Sequence, residues 1–532
     1  MSPTLRRPGR RRLSRLVASL LTVAALAATA ACGGGSTQLA GSTADASLAG
    51  VTTNQSDTLR LALSRQLTGV NPHKGGSPDS SGAVLGSVYE SLTKITADAH
   101  TAPGLATAWT NPDPLTWTAT IRTDRVYSDG TPLTADDIVW NFITILDPEY
   151  KGTIGAPIRK YLASAEKVDD QTVTFHLSSP ALDFPGRLWS VYIVKPEFAQ
   201  THNLETESLG SGPYVIDSLD LENGVELSLN PHWTGDKPAF DKVRYTVLAS
   251  EAQRVAALQA GEQDIALNLE PLSLDQFTDS AAYNTIIGVG PQPLVLAINE
   301  RKTGTPLADA RVRRALNYAT DKKGIISGIL KDSVEPLPGQ VLYEPFQTPV
   351  DGVTAYEYDP AKAKALLAEA GYADGFTVEV DVPSGTYVSA ELISQAIAEQ
   401  WAQIGVALTI TTEPFPAWLQ RQYGDDDQAA DLVYIMWGGQ YRDGYSLFDP
   451  FRSDHIQSHV NAPEFDALVL QLQAASDATS QRALVERAVE DYREQAHTVF
   501  LYPSPFTAVV SKGVTWTPKP SRYLYAQEVG RA

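Results

Sequence analysis

The chain has 532 residues, 43% hydrophobic and 20% charged, which fits a folded protein of two to four domains or one large multi-lobed body. Acidic residues outnumber basic ones 62 to 42, a net charge of −20, which argues against nucleic acid and anionic lipid as partners, because both need clustered Lys and Arg. One cysteine leaves no partner for a disulfide within the chain and no set for a cysteine-built zinc site.

Six arginines (Arg6, Arg7, Arg10, Arg11, Arg12, Arg15) and no acid open the chain. An apolar run, Leu16 to Ala31, follows and ends in Thr29-Ala30-Ala31-Cys32. A basic start, a short apolar stretch and small residues before a cut describe an export signal over residues 1–31. The run is short for the ~20 residues of a membrane span. A cysteine directly after the cut resembles the bacterial lipoprotein signal, which implies a lipidated Cys32 on the outer face of the cell membrane. That signal usually carries Leu where this chain has Thr29. Without the six arginines the 42 basic residues become 36, against 62 acids, or −26. Residues 33–57 are Gly, Ser, Thr and Ala mixtures that cannot bury a core. As a flexible tether they would reach on the order of 25–30 Å.

Strand and helix signals alternate from residue 58 and predict an α/β protein with mixed sheets. Thr116–Arg122 alternates with period two, as a half-buried strand does. Thr134 opens a helix, with Asp137 three residues on as in a capping box. Gln171–Leu177 alternates again. Ser250 caps a helix that Gly261 stops, and Asp359-Pro360 opens one that Gly371 stops. A helix over 391–404 ends at Gly405, and the strand Val406–Thr411 follows. Asp431–Met436 reads as a buried strand. No repeat of 20–50 residues stands out.

Enzyme motifs are absent: no phosphate-binding loop, no nucleophile elbow, no zinc-protease helix and no dinucleotide fingerprint. His455 and His459 are four apart, but their stretch is polar and runs into Pro463, so two surface histidines on a loop are expected and no metal. Asp425-Asp426-Asp427 reads as a solvated loop tip. Trp437-Gly438-Gly439-Gln440-Tyr441 follows the buried strand, where α/β proteins place ligands. Glycine lets a ligand approach the backbone, and Trp and Tyr supply flat apolar area with a polar tip. Trp418 is a second aromatic candidate. Gly210-Ser211-Gly212-Pro213-Tyr214 reads as a hinge or crossover. An exported hydrolase would need paired carboxylates, and Asp443 and Asp449 qualify only by proximity.

Long ordered blocks then carry a resemblance. They include Pro103-Gly104-Leu105-Ala106 with Trp109, the stretches 126–142, 211–218, 230–245 and 254–266, and then 309–325 and 358–375. The chain resembles the family 5 extracellular solute-binding proteins of ABC importers, the oligopeptide, dipeptide and nickel group. The resemblance implies a type II periplasmic-binding-protein clamp of three domains: I at 58–88, 207–298 and 500–532, II at 89–206, and III at 299–499. It further implies a monomer without cofactor that closes on one solute and docks on a membrane permease with its ATPase subunits. Ligand contacts made only in the closed state would drive that closure.

In that resemblance Gly75, Gly76 and Ser77 pair with a ligand backbone, and Trp437 flanks the ligand. Oligopeptide binders of the group carry an aspartate three residues after that tryptophan, for the peptide ammonium. Here it is Gln440, and Asp443 is the displaced substitute. Some carry an arginine where this chain has Tyr434. Burying an unpaired charge is costly, so these departures count against simple zwitterionic peptides. Two ligand classes follow: a peptide-like solute, or a neutral oligosaccharide stacked on Trp418, Tyr434, Trp437 and Tyr441. A metal chelate comes third. A receptor feeding a membrane sensor is the alternative to import.

Overall fold

The run Thr498–Ser511 carries apolar residues on both faces and is buried at every position but its last, as in a strand covered on both sides. It pairs antiparallel with Tyr283–Ile298 at the heart of a ten-stranded mixed sheet. The structure is a computed structural model and describes residues 56–77, 80–147, 149–150, 154–422, 429–436, 445–455, 458–519 and 521–532. From edge to edge the sheet runs Val406–Pro414, Phe376–Ser384, Leu432–Met436, Tyr283–Ile298, Thr498–Ser511, Ile265–Leu267, Thr58–Leu63, Lys242–Val247, Gly224–Leu229 and Tyr214–Asp220.

The two central strands do not pair without a break. Their register runs from Tyr283 opposite Ser511 to Val289 opposite Pro505, then resumes at Pro293 opposite Pro503. Pro291, Pro293, Pro503 and Pro505 have no N–H to donate, so each removes one donor from the ladder around the break. The interruption divides the sheet. Ile265–Leu267 joins Thr498–Ser511 on one side, at Ala508–Val510. Leu432–Met436 joins Tyr283–Ile298 on the other, at Leu294–Ile298. The five strands from Ile265–Leu267 outward form a first lobe, and the three from Leu432–Met436 outward a second.

A separate antiparallel sheet orders Ala106–Asp113, Thr116–Ile121, Thr172–Leu177 and Leu162–Asp169. Helix Ala135–Leu146 covers it, with Phe142 edge-on to Phe175 at 4.9 Å. That helix starts at the capping box read from the sequence: Thr134 Oγ1 accepts from the Asp137 amide, and the Asp137 carboxylate accepts from the Thr134 amide at 2.8 Å. Pro360–Glu369 begins on its Asp359 cap, whose carboxylate accepts from the Lys362 amide at 2.9 Å. Gly261, Gly371 and Gly405 end their helices at positive φ, the conformation that favours glycine.

One expectation is corrected here. His455 and His459 do lie outside regular structure, but they are not surface side chains. His459 is 6% exposed, and burial lowers the His455 pKa. Phe451 and Phe465, both fully buried, pull this polar stretch inward. The export signal, Cys32, the tether to residue 55 and Asp425–Asp427 lie outside the described residues. No helix among the described residues is long and apolar enough to cross a membrane.

Candidate functional site

Phe376–Ser384 runs parallel to both Val406–Pro414 and Leu432–Met436, so the three carboxyl ends come out at one edge of the second lobe. Gly385–Val388, Phe415 and Met436 stand at those ends, and all of them line one cavity of about 1120 Å³. Carboxyl ends of parallel strands are where such sheets hold ligands. The first lobe supplies the facing wall with Arg65, Gly75–Ser77, Asn268 and Glu270. Trp189, from the stretch between helices, and Gln292 and Ser504, at the strand interruption, complete it.

The Gly75–Ser77 wall is rigid for local reasons. Asn71 folds the chain back: its side-chain oxygen accepts from the His73 amide, and its carbonyl from the Lys74 and Gly75 amides. Gly75 takes a φ of +72°, which a side chain would resist. A Cβ on Gly76 would lie 2.6 Å from the Gly82 nitrogen. His73 is buried, and its Nε2–H donates to Asn141 at 2.6 Å. Burial pushes it down to about 4, so the ring is neutral and ties the wall to helix Ala135–Leu146. The Gly76 carbonyl accepts from the Tyr523 hydroxyl at 3.0 Å, and the Ser77 carbonyl accepts from the Ser80 and Gly82 amides. Strand-like pairing with a ligand would therefore use the Gly76 and Ser77 amides, because the Gly75 amide is given to Asn71.

The aromatic expectations change. Trp418 is 1% exposed and stacks on Phe415 with ring centres 5.4 Å apart; Phe415, 38% exposed, is the ring at the cavity. Tyr434 is fully buried, its hydroxyl 2.6 Å from that of Tyr502, and its ring backs Tyr387, which lines the cavity. Trp418 and Tyr434 thus support the wall from behind. Trp418 falls on the buried face of its helix, and Tyr434 on a strand buried on both faces. Trp437, Gly438, Gly439, Gln440, Tyr441 and Asp443 lie outside the described residues. Asp449 is described, and it bonds Lys160 at 2.8 Å and Arg452 at 3.3 Å, away from the cavity. Gly210, Gly212 and Pro213 do not line the cavity either. They belong to a close crossing of two chain passages, where Gly212 donates to the Val88 carbonyl at 2.9 Å.

Four basic side chains (Arg65, Lys74, Arg254, Arg522) and four acidic ones (Asp183, Glu251, Glu270, Glu391) line the cavity. Arg254 spends its guanidinium on the carbonyls of Leu248, Ala249 and Asn268, and Arg522 donates to Gln292 at 2.7 Å. Glu251, Glu270 and Glu391 line the same cavity, and among the described residues no Lys or Arg pairs with any of them. Burial raises the Glu270 pKa, and the fields of Glu251 and Glu391 raise it further. Sequence reading missed Tyr387, Phe415 and Glu270. The first two were within reach, because each follows a strand that the carboxyl-end rule covers as well as it covers Met436.

The family model described as bacterial extracellular solute-binding proteins, family 5 middle, matches residues 100–458. The chain is similar to the nickel-binding periplasmic protein of Escherichia coli, 26% identical over 445 residues, covering 77% of this chain and 82% of that protein. It is also similar to the periplasmic oligopeptide-binding protein OppA of Escherichia coli, 25% identical over 497 residues, covering 85% and 88%. Among solved structures, NikA from Brucella suis with Fe(III)-EDTA superposes with a TM-score of 0.80 at 23% identity, covering 89% of this chain and all of that one.

Proposed function

The chain belongs to the bacterial extracellular solute-binding proteins of family 5, and from that premise we propose that it captures a peptide or peptide-like solute between its two lobes. The carrying observation is the cavity of about 1120 Å³ walled by both lobes, with the carboxylates of Glu251, Glu270 and Glu391 in its lining. A solute with an ammonium group would pair with one of these carboxylates, in place of the pairing that Gln440 cannot give. Similarity to an oligopeptide-binding protein supports the same class. The neutral-oligosaccharide reading loses support, because Trp418 and Tyr434 do not face the cavity.

Capture is by closure. The two lobes meet where the central ladder is interrupted at Gly290–Gln292, and few backbone hydrogen bonds resist bending there. The loaded clamp docks on an ABC permease whose ATPase subunits drive import; the chain itself performs no catalysis. It acts as a monomer outside the cell membrane, held by lipid on Cys32 and by the tether to residue 57. Several acyl chains would anchor it firmly, where one would not.

Titration calorimetry with tetra-alanine, its N-acetylated form and maltotetraose tests the ligand class. Free tetra-alanine should bind, and N-acetylation should weaken binding at least ten-fold, about 1.4 kcal/mol. Heat from maltotetraose with none from the peptide would sink the reading. The anchor has its own test. In cells fed radiolabelled palmitate the wild-type chain should take up label and sediment with membranes, while Cys32→Ser should do neither. Equal labelling of the two would remove the lipid from the account.

A further inference from the structure

Ser389 precedes helix Ala390–Ala402 at its N-cap position, where a serine hydroxyl ordinarily accepts a hydrogen bond from the helix's own amides. Here it does not cap that helix, and its backbone holds φ +51° and ψ +24°, a left-handed conformation unusual outside glycine. Its amide and hydroxyl both point to the other lobe. The amide donates to Glu270 Oε1 at 3.3 Å, and the hydroxyl donates to Glu270 Oε2 at 2.5 Å. Glu270 follows strand Ile265–Leu267 of the first lobe, and helix Ala390–Ala402 belongs to the second, packed between Phe376–Ser384 and Val406–Pro414 in the chain and against both in space. The carboxylate of one lobe therefore stands at the N-terminus of a helix of the other, where the positive end of the helix dipole favours it.

A second contact repeats the pattern. Asp275, five residues after Glu270, is ion-paired with Lys331. Lys331 lies two residues past helix Lys322–Ile329 of the second lobe and also holds a left-handed φ, +52°. That helix is fixed to Ala390–Ala402 by the bond from the Asp321 amide to Gln400. Two residues in unfavourable backbone conformations thus make these two contacts across the lobes. Strain of this kind persists where the surrounding structure gains from it.

We propose that the run Glu270–Phe277 is a latch that fastens the lobes in their closed state, with the Glu270–Ser389 bonds as its main catch and Asp275–Lys331 as a second. The proposal rests on the clamp reading of the preceding subsection. Glu270 and Tyr387–Val388 beside Ser389 line the ligand cavity, so latching and ligand enclosure are one event. Opening then breaks the catch and withdraws the carboxylate from the N-terminus of helix Ala390–Ala402.

The test is electron–electron double resonance between spin labels at Lys242→Cys on the first lobe and Lys323→Cys on the second, in the full chain carrying Cys32→Ser. Both labelled positions are exposed. Each variant is measured empty and with excess tetra-alanine. The latch predicts that Glu270→Gln and Ser389→Ala each lower the ratio of closed to open molecules at least five-fold. Their double variant should lose no more than either alone, and Lys331→Ala should lose less. Ser389→Gly, which relieves the backbone but lacks the hydroxyl, should fall with Ser389→Ala. Closed fractions equal to wild type, or losses that add in the double variant, overturn the latch. A wild-type chain that shows one inter-lobe distance in both conditions overturns the clamp itself and the latch with it.

Discussion

Gly210→Ala is expected to cost the fold about 3 kcal/mol or more and to lower the guanidinium midpoint accordingly. The added Cβ would sit 2.1 Å from the Val88 carbonyl oxygen and 2.7 Å from a Tyr89 ring carbon. A Cβ on Gly212 would meet the Val88 carbonyl carbon and oxygen at 2.6 Å each. Backbone cannot retreat as the end of a long side chain can. Two passages of chain cross here, one leaving helix Ser81–Val88 and one returning to strand Tyr214–Asp220, and they are bonded through the Gly212 amide. Neither glycine takes a positive φ, so close approach and not torsional freedom requires them. This separates the packing account from the hinge reading of the same residues. A hinge would show altered closure with stability little changed. A Gly210→Ala midpoint equal to wild type would remove the packing account.

Arg125→Met is expected to destabilise by about 3–5 kcal/mol, because it leaves a buried carboxylate without its counter-charge. The Arg125 and Glu90 side chains are 5% and 4% exposed. Arg125 Nε donates to Glu90 Oε1 at 3.2 Å, another guanidinium nitrogen donates to Thr234 at 2.6 Å, and the guanidinium lies over Trp233. Glu90 also accepts from the Ser211 hydroxyl at 3.1 Å, so the pair clamps the crossing just described. Burial raises the Glu90 pKa even with Arg125 present, and removing the arginine raises it further. A carboxyl with a raised folded pKa gives stability below its unfolded pKa and loses it as pH rises through the folded one. The variant's deficit should therefore be larger at pH 8 than at pH 5. Adding Glu90→Gln should recover part of it at pH 8. Urea unfolding at the two pH values reads both effects, and a pH-independent deficit would contradict the buried-charge explanation.

These two sites show why the sequence reached only part of the molecule. Thr134 with Asp137, Asp359 with its helix, and the strand Thr116–Ile121 were legible because each signal lies within a few residues of chain. The capping oxygen and the amide it accepts from are three residues apart, and strand alternation repeats every two. Glu90 and Arg125 are 35 residues apart, and Glu270 and Ser389 are 119 apart. No local pattern marks either pair.

The cavity divides in the same way. That ligands collect after a buried strand such as Leu432–Met436 could be read from the chain. That Phe376–Ser384 and Val406–Pro414 lie beside it, and bring Tyr387 and Phe415 to the same opening, follows from strand order.

By itself the sequence determined the α/β class, the family resemblance and a minority of the helices and strands, those with local caps, stops or alternation. Tertiary structure alone decided which aromatic rings face the cavity, which acids stand there, and how the lobes touch. The physical reason is range. Backbone hydrogen bonds and side-chain periodicity act over a few residues, whereas burial and charge compensation depend on whichever segments the ten-stranded sheet brings together.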